Sequence, residues 1–295
     1  MLETTVEAHE DGLMIKEIVY GRLNLSRGLL RRMKRGGGVY LNGKRDYLSR
    51  RVRAGDTLRI EFFDEKTQME PEKIPLNIVF EDDYLLIVNK QAGMAVHPTG
   101  AYQTGTLANA LAYYWNSIGL ETKVRLVHRI DKDTSGLVMV AKEPYTLQRL
   151  LQQLKQQELQ REYLALAKGR LDSLQGVLSM SIGRSLDHGV KRAVSDDGKA
   201  AKTVYKVLAR STGATLVRAR LESGRTHQIR VHFAELGHPL LGDPLYSEAR
   251  PEIIGQALHA WRLEFTHPRT EQRHSITAPM PEAMLNLWKM YWKEQ

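Results

Sequence analysis

Most of the positive charge of this chain lies in one short segment near its N-terminus. Twelve basic and two acidic residues occur between Arg22 and Arg59, so this segment carries a net charge of +10, while the whole chain of 295 residues carries +9. The other residues are therefore close to neutral as a group. Such a concentration of charge predicts a small basic unit and favours a polyanionic partner.

The basic segment has the pattern of a helix followed by a hairpin. Ser26 is a suitable N-cap for the helix, and Asn42-Gly43 is a strong signal for a two-residue hairpin turn. Apolar residues fall on one face of the helix, namely Leu29, Leu30 and Met33. Basic residues fall on another face, namely Arg27, Arg31 and Lys34 or Arg35. Guanidinium groups repeated once per helical turn suit the phosphates of a nucleic-acid backbone.

Three segments of this unit, at residues 26–30, 38–44 and 54–56, carry a resemblance to a known family. They resemble the small RNA-binding domain first known from ribosomal protein S-four. The resemblance implies binding of structured RNA through the basic face. The candidate RNA-binding residues in this unit are Arg27, Arg31, Lys34, Arg35 and Lys44. Docking on some other acidic partner stays open as an alternative.

A charged stretch with two prolines and no apolar period, residues 64–75, is typical of a linker. It divides the chain into a basic RNA-binding unit at residues 1–63 and a larger domain at residues 76–295. In the larger domain, strands are predicted at 78–80, 85–88, 137–140, 163–167, 203–208 and 215–221, and helices at 106–115 and 144–159. Strands and helices do not alternate regularly, so we expect an α+β fold with a mixed, largely antiparallel sheet.

The composition excludes several classes of protein. No apolar run approaches the roughly 20 residues needed to span a bilayer, so we expect no membrane span. The first ten residues do not resemble a signal or transit peptide, which favours a cytoplasmic protein. The chain has no cysteine, which excludes a disulfide framework, a thiolate nucleophile and cysteine-based metal sites.

Signatures of common cofactors are also absent from the sequence. There is no G-x-G-x-x-G after a strand, no G-x-x-x-x-G-K-[ST] and no H-E-x-x-H. His227 and His232 lie five residues apart, which is not the spacing of one helical face, so they are a weak metal signal. We therefore expect neither a cofactor nor a metal.

The densest cluster of ionisable residues, at residues 126–137, comes directly before an apolar strand. Composition alone favours a structural turn residue at Asp131 over a catalytic one. The order of the residues changes this interpretation. His128-Arg129-Ile130-Asp131 followed by Thr134-Ser135-Gly136-Leu137 resembles the H-R-L-D-x-x-T-S-G-L signature of the RluA-type pseudouridine synthases.

Further segments are similar to this family, in order, over residues 76–281. The pattern N-K-P-A-G with V-H-P is matched at residues 89–98, K-x-Y-x-A at 161–165, G-K-x-A-x-T-x-Y at 198–205 and G-R-T-H-Q-I-R-V-H at 224–232. Matches at residues 237–246 and 258–260 complete the run. The departures are Gln91, Ile130, Ser223 and Ser247, and none of them removes a group with obvious chemistry.

The resemblance implies an enzyme that isomerises uridine in RNA to pseudouridine without a cofactor. It assigns the catalytic carboxylate to Asp131, and whether this group acts as a nucleophile or as a base stays open. Arg230 is expected to pair with Asp131 and keep it ionised. Arg129 is expected to enter the RNA where the target base leaves its stack, and Tyr163 to lie against the flipped base. No role is assigned to His128, His227 or Gln228.

Structured RNA is the expected partner. Ribosomal RNA, particularly that of the large subunit, is favoured over transfer RNA, and we expect the protein to act as a monomer. One alternative is a protein of the same scaffold that binds RNA without chemistry. Another is an N-glycosidase that releases free uracil. The presence of both Asp131 and Arg230 favours the isomerase over the non-catalytic protein, whereas analysis of the products would distinguish the N-glycosidase.

Overall fold

The structure is a computed structural model, and it describes residues 1–33, 36–62, 66–100, 102–185 and 189–292. Lys34 and Arg35, two of the candidate RNA-binding residues, lie outside the described residues. So do Phe63, where the basic unit is predicted to end, and the first two residues of the predicted linker.

The N-terminal unit is a four-stranded antiparallel sheet covered by two helices. Its strands, in the order β1-β4-β2-β3, are β1 (Leu2–Thr5), β2 (Gly38–Leu41), β3 (Lys44–Arg45) and β4 (Thr57–Glu61). A 3-10 turn (Ala8–Glu10), α1 (Ile15–Tyr20) and α2 (Arg27–Met33) complete it. Apolar side chains from the sheet and both helices share one core, including Ile18, Leu29 and Leu58.

The predicted details of this unit are confirmed where the structure describes them. The backbone N–H of Leu29 donates to Ser26 Oγ at 3.1 Å, as an N-cap requires. Leu29 and Leu30 are buried, whereas Arg27 and Arg31 on the other face are exposed. Asn42 and Gly43 both have positive φ, 49° and 79°, as in a type I′ hairpin turn.

The larger part of the chain is built on a ten-stranded sheet. The order along it is β10-β13-β14-β9-β15-β8-β6-β5, with β16 beside β15 and β7 beside β8. The strands are β5 (Ile78–Glu81), β6 (Leu85–Lys90), β7 (Arg125–Leu126), β8 (Ser135–Ala141), β9 (Gln160–Lys168), β10 (Gln175–Ser179), β11 (Ile182–Arg184), β12 (Arg192–Val194), β13 (Lys202–Arg210), β14 (Ala214–Leu221), β15 (Leu258–Thr266) and β16 (Arg273–Thr277). Strands β11 and β12 form a separate hairpin. Among the described strands only β8 and β15 pair in parallel, so the predicted α+β fold with a mixed, largely antiparallel sheet is confirmed.

Helices cover both faces of the large sheet. They are α3 (Leu107–Ser117), α4 (Pro144–Lys155), α5 (Gln228–Glu235) and α6 (Glu282–Trp292). Side chains alternate between the two faces along each strand. Tyr163 and Ala165 of β9 pack in the core that contains Leu111 of α3, while Leu164 and Leu166 pack against α6. No helix in the described ranges combines the length and apolarity that a bilayer crossing would need.

Each predicted strand is present, but the second predicted helix is too long. Helix α4 ends at Lys155, four residues before the expected limit of 159. Gln157 adopts a left-handed backbone with φ 62°, and Leu159 packs in the core under the sheet as the chain turns into β9. The apolar pattern therefore extends past the end of the helix, because Leu159 packs in this core from the turn between α4 and β9.

Helix α4 also contacts the N-terminal unit. Gln148 accepts from the backbone N–H of Ser26 at 2.8 Å and donates to the carbonyl of Asn24 at 2.7 Å. The rings of Tyr145 and Phe62 stack with centroids 5.7 Å apart. The C-terminal turn of the same helix lines the cavity described below, so α4 connects the basic unit to that cavity.

Candidate active site

Asp131 lies in the loop between β7 and β8, at the wall of a cavity of about 490 Å³. The backbone N–H of Thr134 donates to the carbonyl of Asp131 at 3.2 Å, which closes the loop into a turn. Gly136 follows at the start of β8 with φ 109°, and a Cβ there would lie 2.3 Å from the carbonyl oxygen of Ala260. The motif therefore needs glycine at this position, because β8 and β15 approach too closely for any other residue.

The structure brings Arg230 to Asp131 across 99 residues of sequence. Arg230 projects from the first turn of α5, and its Nη1 donates to Asp131 Oδ2 at 3.1 Å. Its Nε and Nη2 donate to the two oxygens of Asp243 at 2.7 and 2.8 Å. Asp243 is fully buried and Arg230 is 4% exposed. One guanidinium thus holds a buried carboxylate through a bidentate pair and offers its remaining edge to Asp131.

The charges around Arg230 keep it in the cationic form. Burial lowers its pKa, but the hydrogen bonds and charge of Asp243, together with the charge of Asp131, outweigh burial and raise the pKa above the ordinary value. The ring of Tyr246 also lies 5.2 Å from the guanidinium carbon. A fixed positive charge therefore faces the Asp131 carboxylate.

Tyr163 lines the same cavity from the middle of β9 and is buried. Its neighbours on the two adjacent strands are Ala219 and Ala260, whose small side chains leave room beside the ring. Burial raises the pKa of the Tyr163 hydroxyl, so this group is neutral at ordinary pH. The tyrosine presents a neutral aromatic surface close to a carboxylate, which suits a planar base.

Arg129 is exposed at the mouth of the cavity, with Nη2 3.5 Å from Thr226 Oγ1. The candidates Asp131, Arg230, Tyr163 and Arg129 are therefore brought together at one cavity. Arg27, Arg31 and Lys44 lie in the N-terminal unit and do not line it. The described residues contain no group of three or more side chains arranged to hold a metal ion.

Two of the residues without an assigned role, Gln228 and His227, have partners inside the protein. Gln228 accepts from Ser223 Oγ and donates to the carbonyl of Lys202 and the hydroxyl of Thr203, so its amide is occupied inside the protein. His227 has a left-handed backbone with φ 58° and lies with Nδ1 3.0 Å from the Tyr246 hydroxyl. Gln228 therefore anchors the loop before α5.

Sequence reasoning missed the roles of Asp243, Tyr246 and Lys90, although all three lie in matched segments. Lys90 is 1% exposed, and its Nζ donates at 2.8 Å to the carbonyls of Gln91, Met94 and Lys132. Burial lowers the pKa of Lys90 to about 7, against the charges of Asp133 and Asp131. Since Lys132 follows Asp131, this lysine ties the Asp131 loop to the end of β6.

The Lys90→Met variant is expected to lose about 2–4 kcal/mol of unfolding free energy, because it leaves buried carbonyls without donors. Its turnover should fall as well, since the loop next to Asp131 loses an anchor. Urea denaturation and steady-state kinetics would measure the two effects. Lys206→Met, at an exposed position on β13, is the matched control. Equal stability and turnover in both variants would contradict the anchoring role.

Comparison with known proteins shows which family this chain is similar to. The RNA pseudouridylate synthase family matches residues 84–235. The uncharacterized RNA pseudouridine synthase YhcT of Bacillus subtilis is 39% identical over 294 residues, which cover 99% of this chain and 97% of that protein. Ribosomal large subunit pseudouridine synthase D of Nitrosomonas europaea is 44% identical over 227 residues, 74% of this chain and 66% of that protein.

A solved structure is similar as well. Human RNA pseudouridylate synthase domain containing 1 superposes with a TM-score of 0.59 at 27% identity, over 72% of this chain and 86% of that chain. Fold and sequence similarity therefore agree. The chain belongs to the RNA pseudouridylate synthase family and is an RNA pseudouridine synthase, an isomerase.

Proposed function

We propose that this protein isomerises uridines in ribosomal RNA of the large subunit, with Asp131 as the catalytic carboxylate. The observation that carries the proposal is the Asp131 carboxylate, held 3.1 Å from the cationic Arg230 in a cavity that Tyr163 also lines. Relatives named ribosomal large subunit pseudouridine synthase D, 38–44% identical to this chain, support the RNA class.

The reaction moves the uracil ring without redox change. The bond from N1 of the base to C1′ of ribose breaks, a bond from C5 to C1′ forms, the hydrogen on C5 leaves, and N1 gains a proton. Asp131 acts either as a nucleophile or as a base toward the sugar. In both cases an ionised carboxylate is needed, and Arg230 supplies the adjacent positive charge.

A uridine inside folded RNA must leave its stack before Asp131 can reach it. We propose that the flipped base stacks on the ring of Tyr163 and that Arg129 enters the RNA at the place the base has left. Arg129 suits this task because it is exposed at the mouth of the cavity, where, among the described residues, its side chain hydrogen-bonds only Thr226, at 3.5 Å. In this proposal the flipped base stacks on Tyr163, and Arg129 fills the gap that the base leaves in the RNA.

The Tyr163→Leu variant is expected to lower kcat/KM by about 10- to 100-fold, because stacking on an aromatic side chain contributes about 1–3 kcal/mol per base. The hydroxyl makes no hydrogen bond with any described residue, so Tyr163→Phe should stay within a few-fold of wild type. Steady-state kinetics on one RNA substrate measures both. A large loss in Tyr163→Phe would show that the hydroxyl, not the ring, is required.

We also propose that residues 1–63 bind the RNA outside the target nucleotide, through the exposed face of α2. Arg27 and Arg31 are exposed there and pair with no carboxylate among the described residues. In contrast, Arg22 forms an ion pair with Glu10 at 2.8 Å, so its charge is less available to RNA. Helix α2 contacts α4, whose C-terminal turn lines the cavity, and this contact supports the proposal.

Reversing the charge in the double variant Arg27→Glu/Arg31→Glu is expected to flatten the dependence of RNA affinity on salt. Each lost phosphate contact reduces the magnitude of the negative slope of log K against log salt by roughly 0.7–0.9. Filter binding between about 50 and 200 mM salt measures the slope. The control is the double variant Lys206→Glu/Lys289→Glu, which changes the net charge by the same amount at exposed positions outside the N-terminal unit. A wild-type slope in the α2 variant would refute the assigned face.

The proposed function is tested with bulk ribosomal and transfer RNA that carry tritium at C5 of uridine. Bond formation at C5 expels this hydrogen, so release from ribosomal RNA is expected. Release from transfer RNA alone would change the substrate class. No release despite salt-sensitive binding would indicate a non-catalytic RNA-binding protein. Free uracil among the products would indicate an N-glycosidase.

A further inference from the structure

Arg161 is a buried cation without an anionic partner in the wall of the cavity. It lies on β9 two residues before Tyr163, on the same face of the sheet and about 6.5 Å further along the strand. It is 7% exposed. Its Nη2 donates to the carbonyl of Ser223 at 3.2 Å, and its Nε has no partner. No carboxylate in the described residues lies within ion-pair distance of it.

The acidic residues nearby do not compensate this charge. Glu162 points to the opposite face of the sheet, where it pairs with Arg218 and Arg262. Glu222 lines the cavity, but its carboxylate pairs with Lys202 at 2.8 Å and with Arg220 at 3.3 Å. The other lining carboxylate is Asp131, which pairs with Arg230. A buried guanidinium without an anion is costly, so its retention points to an anion that arrives with a ligand.

His128 adds an unused donor to the same wall. It is 8% exposed, and its Nε2 accepts from the backbone N–H of Met139 at 3.3 Å. Since Nε2 is the acceptor, Nδ1 carries the hydrogen, and this N–H has no partner in the described structure. Burial, together with the charge of Arg161, lowers the pKa of His128 to about 3. His128 is thus a neutral donor.

The backbone of Gly224 packs closely against the Arg161 guanidinium. A Cβ at Gly224 would lie 3.0 Å from Arg161 Nη1, so a larger residue would crowd the guanidinium. Lys155 and Arg225 are exposed on the rim of the cavity. The subsite therefore offers hydrogen-bond donors and positive charge, which is the chemistry that recognises a phosphate.

We propose that Arg161 and His128 bind the backbone phosphate next to the flipped uridine. The proposal rests on the proposed function, because it requires the flipped base to stack on Tyr163, which lies two residues from Arg161 on β9. A phosphate in this part of the cavity would supply the anion that the Arg161 guanidinium lacks, beside the His128 ring. It would also fix the ribose between the phosphate subsite and Tyr163, beside Asp131.

The Arg161→Met variant tests this phosphate subsite. It should fold with an unfolding free energy no lower than that of wild type, because it removes an uncompensated buried charge. Its kcat/KM in tritium release should fall about 10- to 100-fold, as for loss of hydrogen bonds to a charged group. The slope of log K for RNA binding against log salt should shrink by about 1. Arg161→Lys should recover part of the loss.

Arg218→Met is the matched control, because it removes the same charge from the neighbouring strand on the opposite face. It should keep the wild-type salt slope and kinetics. A purely structural Arg161 would instead give lower stability, with a salt slope like that of Arg218→Met, and this result would overturn the proposal.

A neutral methylphosphonate linkage on either side of the target uridine locates the phosphate. Wild type should lose affinity for one of the two RNAs, while Arg161→Met should bind that RNA and the unmodified RNA equally. Equal losses in both proteins would overturn the proposal. If wild type releases no tritium from any RNA, the proposed function fails, and the salt slope of RNA binding still decides the phosphate subsite.

Discussion

The Asp131→Asn variant is expected to release no measurable tritium from RNA, a loss of at least about 1,000-fold, while it binds RNA like wild type. An amide has the shape of the carboxylate but cannot serve as a nucleophile or as a base. Arg230 can still donate to the amide oxygen, and Asp243 continues to hold Arg230. Folding should therefore be retained, with a change in unfolding free energy within about 1 kcal/mol.

Tritium release and filter binding on the same RNA measure the two properties separately. Asp133→Asn is the matched control, because this carboxylate is two residues away and lines a second cavity with Lys90 instead of the cavity of Tyr163. It should keep most of the activity. The assignment of Asp131 would be wrong if its variant kept a tenth of wild-type turnover, or if Asp133→Asn lost as much.

The Arg230→Met variant is expected to lose about 3–5 kcal/mol of unfolding free energy together with its activity. The loss of stability arises because Asp243, which is fully buried, loses its bidentate partner. The loss of activity arises because Asp131 no longer faces a cation. Urea denaturation and tritium release measure the two effects.

The double variant Arg230→Met/Asp243→Asn separates the structural role from the catalytic one. Removing both buried charges should restore at least half of the lost stability, while the amide oxygen still accepts from the backbone N–H of Leu245. Activity should stay absent. Recovery of activity with stability would mean that Arg230 only supports the fold and is not needed next to Asp131.

Local patterns predicted the elements that depend on neighbouring residues. The N-cap at Ser26, the hairpin at Asn42-Gly43 and six of the ten described strands of the large sheet follow from capping, turn geometry and apolar patterning over a few residues. The end of α4 was predicted too late because Leu159 is apolar and close in sequence but lies after the helix, where it packs in a core with residues of β6, β8 and β15. Helix α5 was missed, since it begins at a left-handed His227 and carries buried polar side chains.

The order of motif residues by itself indicated the family and named Asp131, Arg230, Tyr163 and Arg129 as one site, since these residue types occur in matched segments. Only the tertiary structure decided how they act on each other. Asp131 and Arg230 are 99 residues apart, and their contact depends on α5 packing beside the β7–β8 loop. The role of Asp243, the three carbonyls on Lys90 and the unpaired charge of Arg161 depend on burial and partners. No short stretch of sequence contains that information, because a side chain's charge acts through whatever the fold places around it.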